Sequence, residues 1–228
     1  TANEGDYKGG SRGFTIFNKD GSVVWDSGMA LEYRVVQAGH YPEKRSNKKG
    51  AEPEGVETAS YGGQKYIFIG VERASVIGVY RDTGAAPEFV QLLPSGVAPE
   101  GIVAIPGRNL LVTANEGDLL EDGGLRAHVM IYERGEGAAQ YPQIVSGNDG
   151  DGRPIGWGAL SGLAADPVKP GILYAVNDSF YGGQPSVFTI DATSKPARII
   201  EKRVVTRGGV PAQKLDLEGI AIGPDGGF

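Results

Sequence analysis

The sequence predicts an all-β fold made of successive four-stranded antiparallel units, of the β-propeller type, and three observations carry that prediction. The hexapeptide TANEGD at Thr1–Asp6 returns at Thr113–Asp118. A second phrase recurs out of step with it, as PEGV at Pro53–Val56, PEGI at Pro99–Ile102, LSGLA at Leu160–Ala164 and LEGIA at Leu217–Ala221, and each time it opens a short apolar run. Successive copies lie roughly 45 to 60 residues apart, near the length of a propeller blade. Behind each of the first three come a Gly- or Pro-containing turn and two further β-rich runs.

Taken in order, the N-terminal stretch 1–28 reads as the second half of a unit, with GFTIF at Gly13–Phe17 followed by an outer strand at Ser22–Trp25. An insertion, 29–52, contains the one segment with helical periodicity, Met29–Gln37, where Leu31 and Val35 recur on one face. Three complete units are expected at 53–97, 98–158 and 159–215. Their second strands start near Tyr66, Asn109 and Gly171, and their third strands are Ser75–Tyr80, His128–Tyr132 and Ser186–Ile190. The outer strands are expected at Glu88–Leu93, Gln143–Val145 and Ile199–Val205. Residues 216–228 open a further unit with a first strand at Leu217–Ile222. Neither end closes a unit. The two partial units either combine into a four-bladed ring or mark a fragment of a larger propeller, whose open edge strands would invite self-association.

Composition agrees with short strands and many turns. The chain has 37 glycines and 14 prolines, yet 40% of its residues are hydrophobic, which argues against disorder. A formal charge of −6 offers no footprint for nucleic acid, which needs clustered Lys and Arg. The one basic run, Lys44, Arg45, Lys48 and Lys49, reads as a solvated loop rather than a phosphate patch. The absence of cysteine excludes disulfides, thiolate metal sites and cysteine nucleophiles. No apolar run approaches the ~20 residues that span a bilayer.

In an antiparallel meander the start of the first strand and the end of the second lie at the same edge. Polar residues occupy both places: Glu54 with Glu72, Glu100 with Asn115 and Glu116, Ser161 with Asn177 and Asp178. If the first strand is innermost, Glu54, Glu100, Glu218, Asn115, Asn3 and Asp178 gather at one mouth of a central channel. There they form the oxygen set that Ca²⁺ prefers. Glu100 and Glu116 are candidate catalytic carboxylates acting on a metal-activated water, and Arg73, with Arg126 behind it, is the candidate stabiliser of charge on an ester or phosphoryl oxygen. The structural alternative is that Glu-Gly and Asn-Glu-Gly-Asp are turn formers, Gly supplying positive φ. Asp149-Gly-Asp151-Gly152 lacks the twelfth-position acid of a calcium loop and reads as a turn. His40 and His128 are isolated, and no GxSxG, HExxH or P-loop pattern occurs.

The phrases KGAEPEGVE at Lys49–Glu57, LVTANEGD at Leu111–Asp118, LSGLAADP at Leu160–Pro167, LYAVNDSFY at Leu173–Tyr181 and LDLEGIAIGPDGGF at Leu215–Phe228 resemble the bacterial family named for an esterase-like activity of phytase. The earlier phrases also resemble the related choice-of-anchor proteins, labelled alkaline phosphatase-like. The resemblance implies a secreted, periplasmic or surface-attached propeller longer than this chain, and a hydrolase of phosphate or other esters taking a small-molecule substrate. It transfers no catalytic residue. By looser analogy, calcium-dependent propeller phytases and lactonases hold their metal at the channel mouth. The competing reading is a noncatalytic extracellular binding or scaffold propeller in which any metal is structural.

Overall fold

The computed structural model describes residues 1–137, 143–178, 180–182, 184–213 and 215–228. Its strands form mostly antiparallel sheets. The chain divides into two compact units, Thr1–Val35 with Arg45–Ala139, and Val36–Lys44 with Gln140–Phe228.

In the first unit β1 (Thr15–Phe17) and β2 (Val23–Asp26) form a hairpin, and α1 (Ala30–Gln37) follows where helical periodicity places it. β3 (Pro53–Tyr61), β4 (Gln64–Val71), β5 (Val76–Arg81) and β6 (Glu88–Pro94) form a four-stranded meander in chain order. The edge strand β3 alternates between covered and exposed residues. β4 and β5 are buried on both faces for most of their length, which is why YIFIGV and VIGVY are continuous apolar runs. One face carries Tyr61, Phe68, Ile77 and Val79 against Leu111, Ile102 and Ala104 of the next sheet. The other meets Leu31 at Gly78 and Phe14 at Tyr80, the two rings 4.8 Å apart. That next sheet is β7 (Pro99–Ile105), β8 (Leu110–Asn115) and β9 (His128–Glu133). Two tyrosines tie the sheets together: Tyr61 Oη donates to the Leu110 carbonyl at 2.6 Å and Tyr132 Oη to the Pro94 carbonyl at 2.9 Å.

In the second unit β10 (Ile144–Ser146), β11 (Leu160–Ala165), β12 (Ile172–Asn177), β13 (Ser186–Asp191) and β14 (Ala197–Val204) form one sheet in the order β10-β14-β13-β12-β11. A short hairpin, β15 (Thr206–Arg207) with β16 (Val210–Pro211), follows. Two expectations are corrected here. The strand expected at Gln143–Val145 as the outer strand of the 98–158 unit is β10, and it pairs in parallel with β14 instead of with β9. Its Ile144 packs on the core of Ile155, Phe188, Ile190 and Ile199, so apolar burial draws it to the later sheet. Nor do residues 217–222 form a strand. They are tied to β11 by Ser161, whose hydroxyl donates to the Leu217 carbonyl, and by the approach of Gly219 to Gly162.

A single backbone device opens three of the sheets. Glu52, Ala98 and Ala159 all adopt left-handed φ, at 56°, 53° and 46°. Each carbonyl accepts the amide of the residue just past the second strand, from Glu72 at 2.8 Å, Glu116 at 2.9 Å and Asp178 at 2.9 Å. The register then slips immediately after Pro53, Pro99 and Leu160, a β-bulge that holds Glu54 with Gly55, Glu100 with Gly101, and Ser161. The Glu-Gly phrase that opens β3 and β7 is therefore not a positive-φ turn, whereas Gly5 of the first TANEGD copy, at φ 89°, is in the conformation the turn reading expects. Gly55, Gly101 and Gly219 keep ordinary φ, and the strained residue lies two places before each acid of β3 and β7.

What Gly55 supplies is room, because a Cβ there would lie 2.3 Å from the Glu100 carbonyl oxygen. Gly55→Ala should destabilise the protein by about 1–3 kcal/mol through this overpacking. Gly107→Ala, at a site with open space and ordinary φ, should change it by less than about 0.5 kcal/mol. Urea unfolding of both variants checks the pair.

Candidate carboxylate site

The three bulges determine where the acidic residues go. In the first unit Glu54, Glu72 and Glu100, from the starts of β3 and β7 and the end of β4, offer carboxylate oxygens that all lie within 4.8 Å of one another. Glu54 and Glu100 are exposed, whereas Glu72 is 3% exposed. Glu116 follows β8, and its charge acts on Glu100.

Crowded like charges make themselves felt. Glu72 is pushed from the ordinary value of 4.5 up to about 7, first by burial, with Glu54 and Glu52 adding to the rise and Arg73 opposing it. Glu100 is also raised, first by desolvation and then by Glu116 and Glu54. Arg73 is the cation at this place. Its Nη2 lies 3.0 Å from Glu72 Oε1, and its Nε lies 3.4 Å from Oε2 of Glu52, a carboxylate that is 1% exposed. The other oxygen of Glu52 is paired with Arg45. The basic run is thus not merely solvated, since Arg45 neutralises a buried acid and Lys49 pairs with Glu4 and Asp6.

A second carboxylate group, in the second unit, brings Asp178, Asp216 and Glu218 within 4.8 Å of one another. Asp178 holds the same place after β12 that Glu72 holds after β4. Glu218 takes its place in this group beside Asp178.

The amide residues serve the backbone. Asn115 is buried, and its Nδ2 donates to the His128 carbonyl at 3.1 Å, fastening the end of β8 to the start of β9. Asn177, in the same place, accepts the Ser186 amide at 2.8 Å. Asn3 donates to Ser11 Oγ at 2.9 Å and to Thr15 Oγ1 at 2.7 Å. Arg126 pairs with Asp118 at 3.2 Å and is largely exposed. The ring of His128 lies over Gly96. Asp149 accepts the amides of Asp151 and Arg153, the closed turn expected of that segment. Sequence reasoning placed Glu72 opposite Glu54 without naming it as a cation ligand, read Arg45 only as part of a solvated loop, and missed Asp216 and Glu52.

Two family models match parts of the chain, the Choice-of-anchor I domain over residues 1–85 and Esterase-like activity of phytase over residues 155–228. These are the families the repeated phrases resemble. No curated protein matches the chain. Among solved structures, hydrazine synthase of Kuenenia stuttgartiensis is similar at 16% identity, over 74% of this chain and 44% of its own, with a TM-score of 0.29. A functionally unknown protein from Desulfotomaculum acetoxidans DSM 771 is similar at 9% identity, over 75% and 60%, with a TM-score of 0.24. The chain spans less than two thirds of the length of either. No helix among the described residues is long and apolar enough to cross a membrane.

Glu72 sets a pH dependence. Its folded pKa exceeds the unfolded value, so between about 4.5 and about 7 the folded state binds more protons than the unfolded one. Stability contributed by the protonated carboxyl is complete below about 4.5 and is lost as pH rises through about 7. In chelator-treated protein, wild type should lose on the order of 2 kcal/mol relative to Glu72→Gln between pH 5 and pH 8. Paired urea titrations at the two pH values measure the difference.

Proposed function

We propose that this chain is an extracytoplasmic ester hydrolase of β-propeller architecture. It binds a divalent cation, Ca²⁺ by preference, at the carboxylates of its first unit. One observation carries the reading: three glutamates from separate strand ends are held together by the same backbone device, next to a fixed guanidinium. Residues that merely formed turns would have no cause to converge. The donor set fits the cation, since carboxylate oxygens are what Ca²⁺ takes, and Glu54 and Glu52 add to the rise that burial gives the Glu72 pKa, a contribution that a bound cation would offset. The match of residues 155–228 to the esterase-like model supports ester hydrolysis as the class. Both family matches support a secreted, periplasmic or surface location.

In this reading Glu54, Glu72 and Glu100 hold the cation, which when bound supplies Lewis-acid polarisation of the ester oxygen. Arg73 donates N–H groups toward the oxygen on which negative charge develops; it is already oriented by Glu52 and Glu72, so little reorganisation is needed. Glu116, exposed beside Glu100, takes the proton of the attacking water and returns it to the leaving alcohol. The substrate class includes carboxylic and phosphate esters.

A noncatalytic binding or scaffold propeller is the second reading, and a specific observation favours it. The acids of both TANEGD copies are partly quenched within the protein, Glu4 and Asp6 by Lys49 and Asp118 by Arg126. The esterase-like match, moreover, covers the group of Asp178, Asp216 and Glu218 rather than the first group.

Chelator-stripped and Ca²⁺-loaded protein should be assayed on 4-nitrophenyl acetate, butyrate and phosphate. The expected result is Ca²⁺-dependent turnover of at least one ester, lowered about 100-fold or more in kcat/KM by Glu100→Gln and little changed by Asp178→Asn. The opposite ranking would move the activity to the second group. A rise in Tm with Ca²⁺ but no turnover would establish the scaffold reading.

A further inference from the structure

We infer that Glu52 is a positioning residue, which holds the Arg73 guanidinium at the edge of the first carboxylate group and keeps it from closing over Glu54 and Glu100. The inference rests on the reading of that group as a cation site. It starts from a comparison among the repeats. Glu52, Ala98 and Ala159 perform the same backbone task, with the same left-handed φ and the same carbonyl-to-amide bond. Alanine suffices in two of the three, so the brace does not call for a carboxylate.

The Glu52 side chain must have a separate role. Burying it costs several kcal/mol unless it is paired, and the pairing is supplied by two arginines. Arg45 belongs to the 29–52 insertion, and Arg73 stands where Gly117 stands in the following repeat. Insertion, buried acid and guanidinium therefore form a set confined to the repeat that contributes Glu54 and Glu72. Arg73 is gripped on two sides, by Glu52 at Nε and by Glu72 at Nη2, and its amide donates to the Ala51 carbonyl at 3.1 Å. Released from Glu52, the guanidinium would be drawn further onto the crowded carboxylates and would compete with a cation for their oxygens.

A double-mutant cycle tests this by isothermal titration of Ca²⁺ into the chelator-stripped full chain. Glu52→Gln should weaken Ca²⁺ binding about tenfold. Arg73→Gln should tighten it about tenfold, and Glu52→Gln should have no further effect in the Arg73→Gln background. Arg45→Gln, which leaves the Glu52 carboxylate in place, guards against a Glu52 variant that does not fold. It leaves Glu52 to Arg73 alone, drawing the guanidinium from Glu72, and should tighten binding a few-fold, again only while Arg73 is present. Equal fold-changes in both Arg73 backgrounds would mean a purely structural role and would overturn the inference alone. Failure of the wild-type chain to bind Ca²⁺ would overturn both the inference and the cation site on which it rests.

Discussion

One hydrogen bond, made three times, underlies the arrangement of the acids. The carbonyl of a left-handed residue ahead of the first strand accepts the amide of the residue that follows the second strand, at Glu52, Ala98 and Ala159. A non-glycine residue in that conformation costs on the order of 1–2 kcal/mol. The cost is met because the bond closes the mouth of the hairpin and satisfies a backbone amide that has left the ladder. The register slip that follows is a necessary consequence. Two residues face one across the first bulge, so Glu54 and Glu100 leave the ladder alternation and project from the sheet edge.

Once the bulge is in place, neighbouring repeats can approach only where side chains are small. Gly55 lies against the Glu100 carbonyl, and Gly162 against Gly219. The two contacts are alike although they lie in different units: in each, the start of one repeat meets the start of the next at a glycine. The copies did not keep the same chemistry. The two TANEGD segments are identical in sequence, yet Glu4 is paired with Lys49 and Glu116 stands beside Glu100. The hexapeptide was copied but its backbone differs between the copies, Gly5 having φ 89° where Gly117 keeps ordinary φ, and residues elsewhere in the chain decide which carboxylates are neutralised.

Much of the strand pattern was legible because it rests on alternation and on turn punctuation. The meander of β3 to β6 and the helix at Ala30–Gln37 lie where those signals place them. The constant spacing of Glu54 to Glu72 and Glu100 to Glu116 was also legible, since strand length and antiparallel pairing alone bring such residues to one edge. The left-handed residues were not, because neither Gly nor Asn marks them: Glu52, Ala98 and Ala159 carry no local signal, and tertiary hydrogen bonding overrides their preference. Asn115 and Asn177 read as ligands because amide oxygens suit Ca²⁺, whereas the main-chain groups of the third strand claim them first. The parallel pairing of β10 with β14 lay beyond any local pattern, since it is fixed by the place of Ile144 in a core assembled from distant residues.

Several breaches of local rules lie close together in the first unit. Glu52 has a strained φ and a fully buried charge, Glu72 is a buried carboxyl raised toward neutrality, and Glu54 and Glu100 lie within contact range of it. Each feature alone lowers stability, and packing does not demand any of them, since Ala98 and Ala159 provide the same brace without a charge. Such violations are what functional sites tolerate, and the proposed cation would relieve these together. The buried pairs answer only part of the charge: Glu52 is matched by Arg45 and Arg73, while Glu54 and Glu100 stay exposed to solvent beside Glu72. That remainder is negative, built from hard oxygen donors and open on one side, which is the form of incompleteness a divalent cation removes.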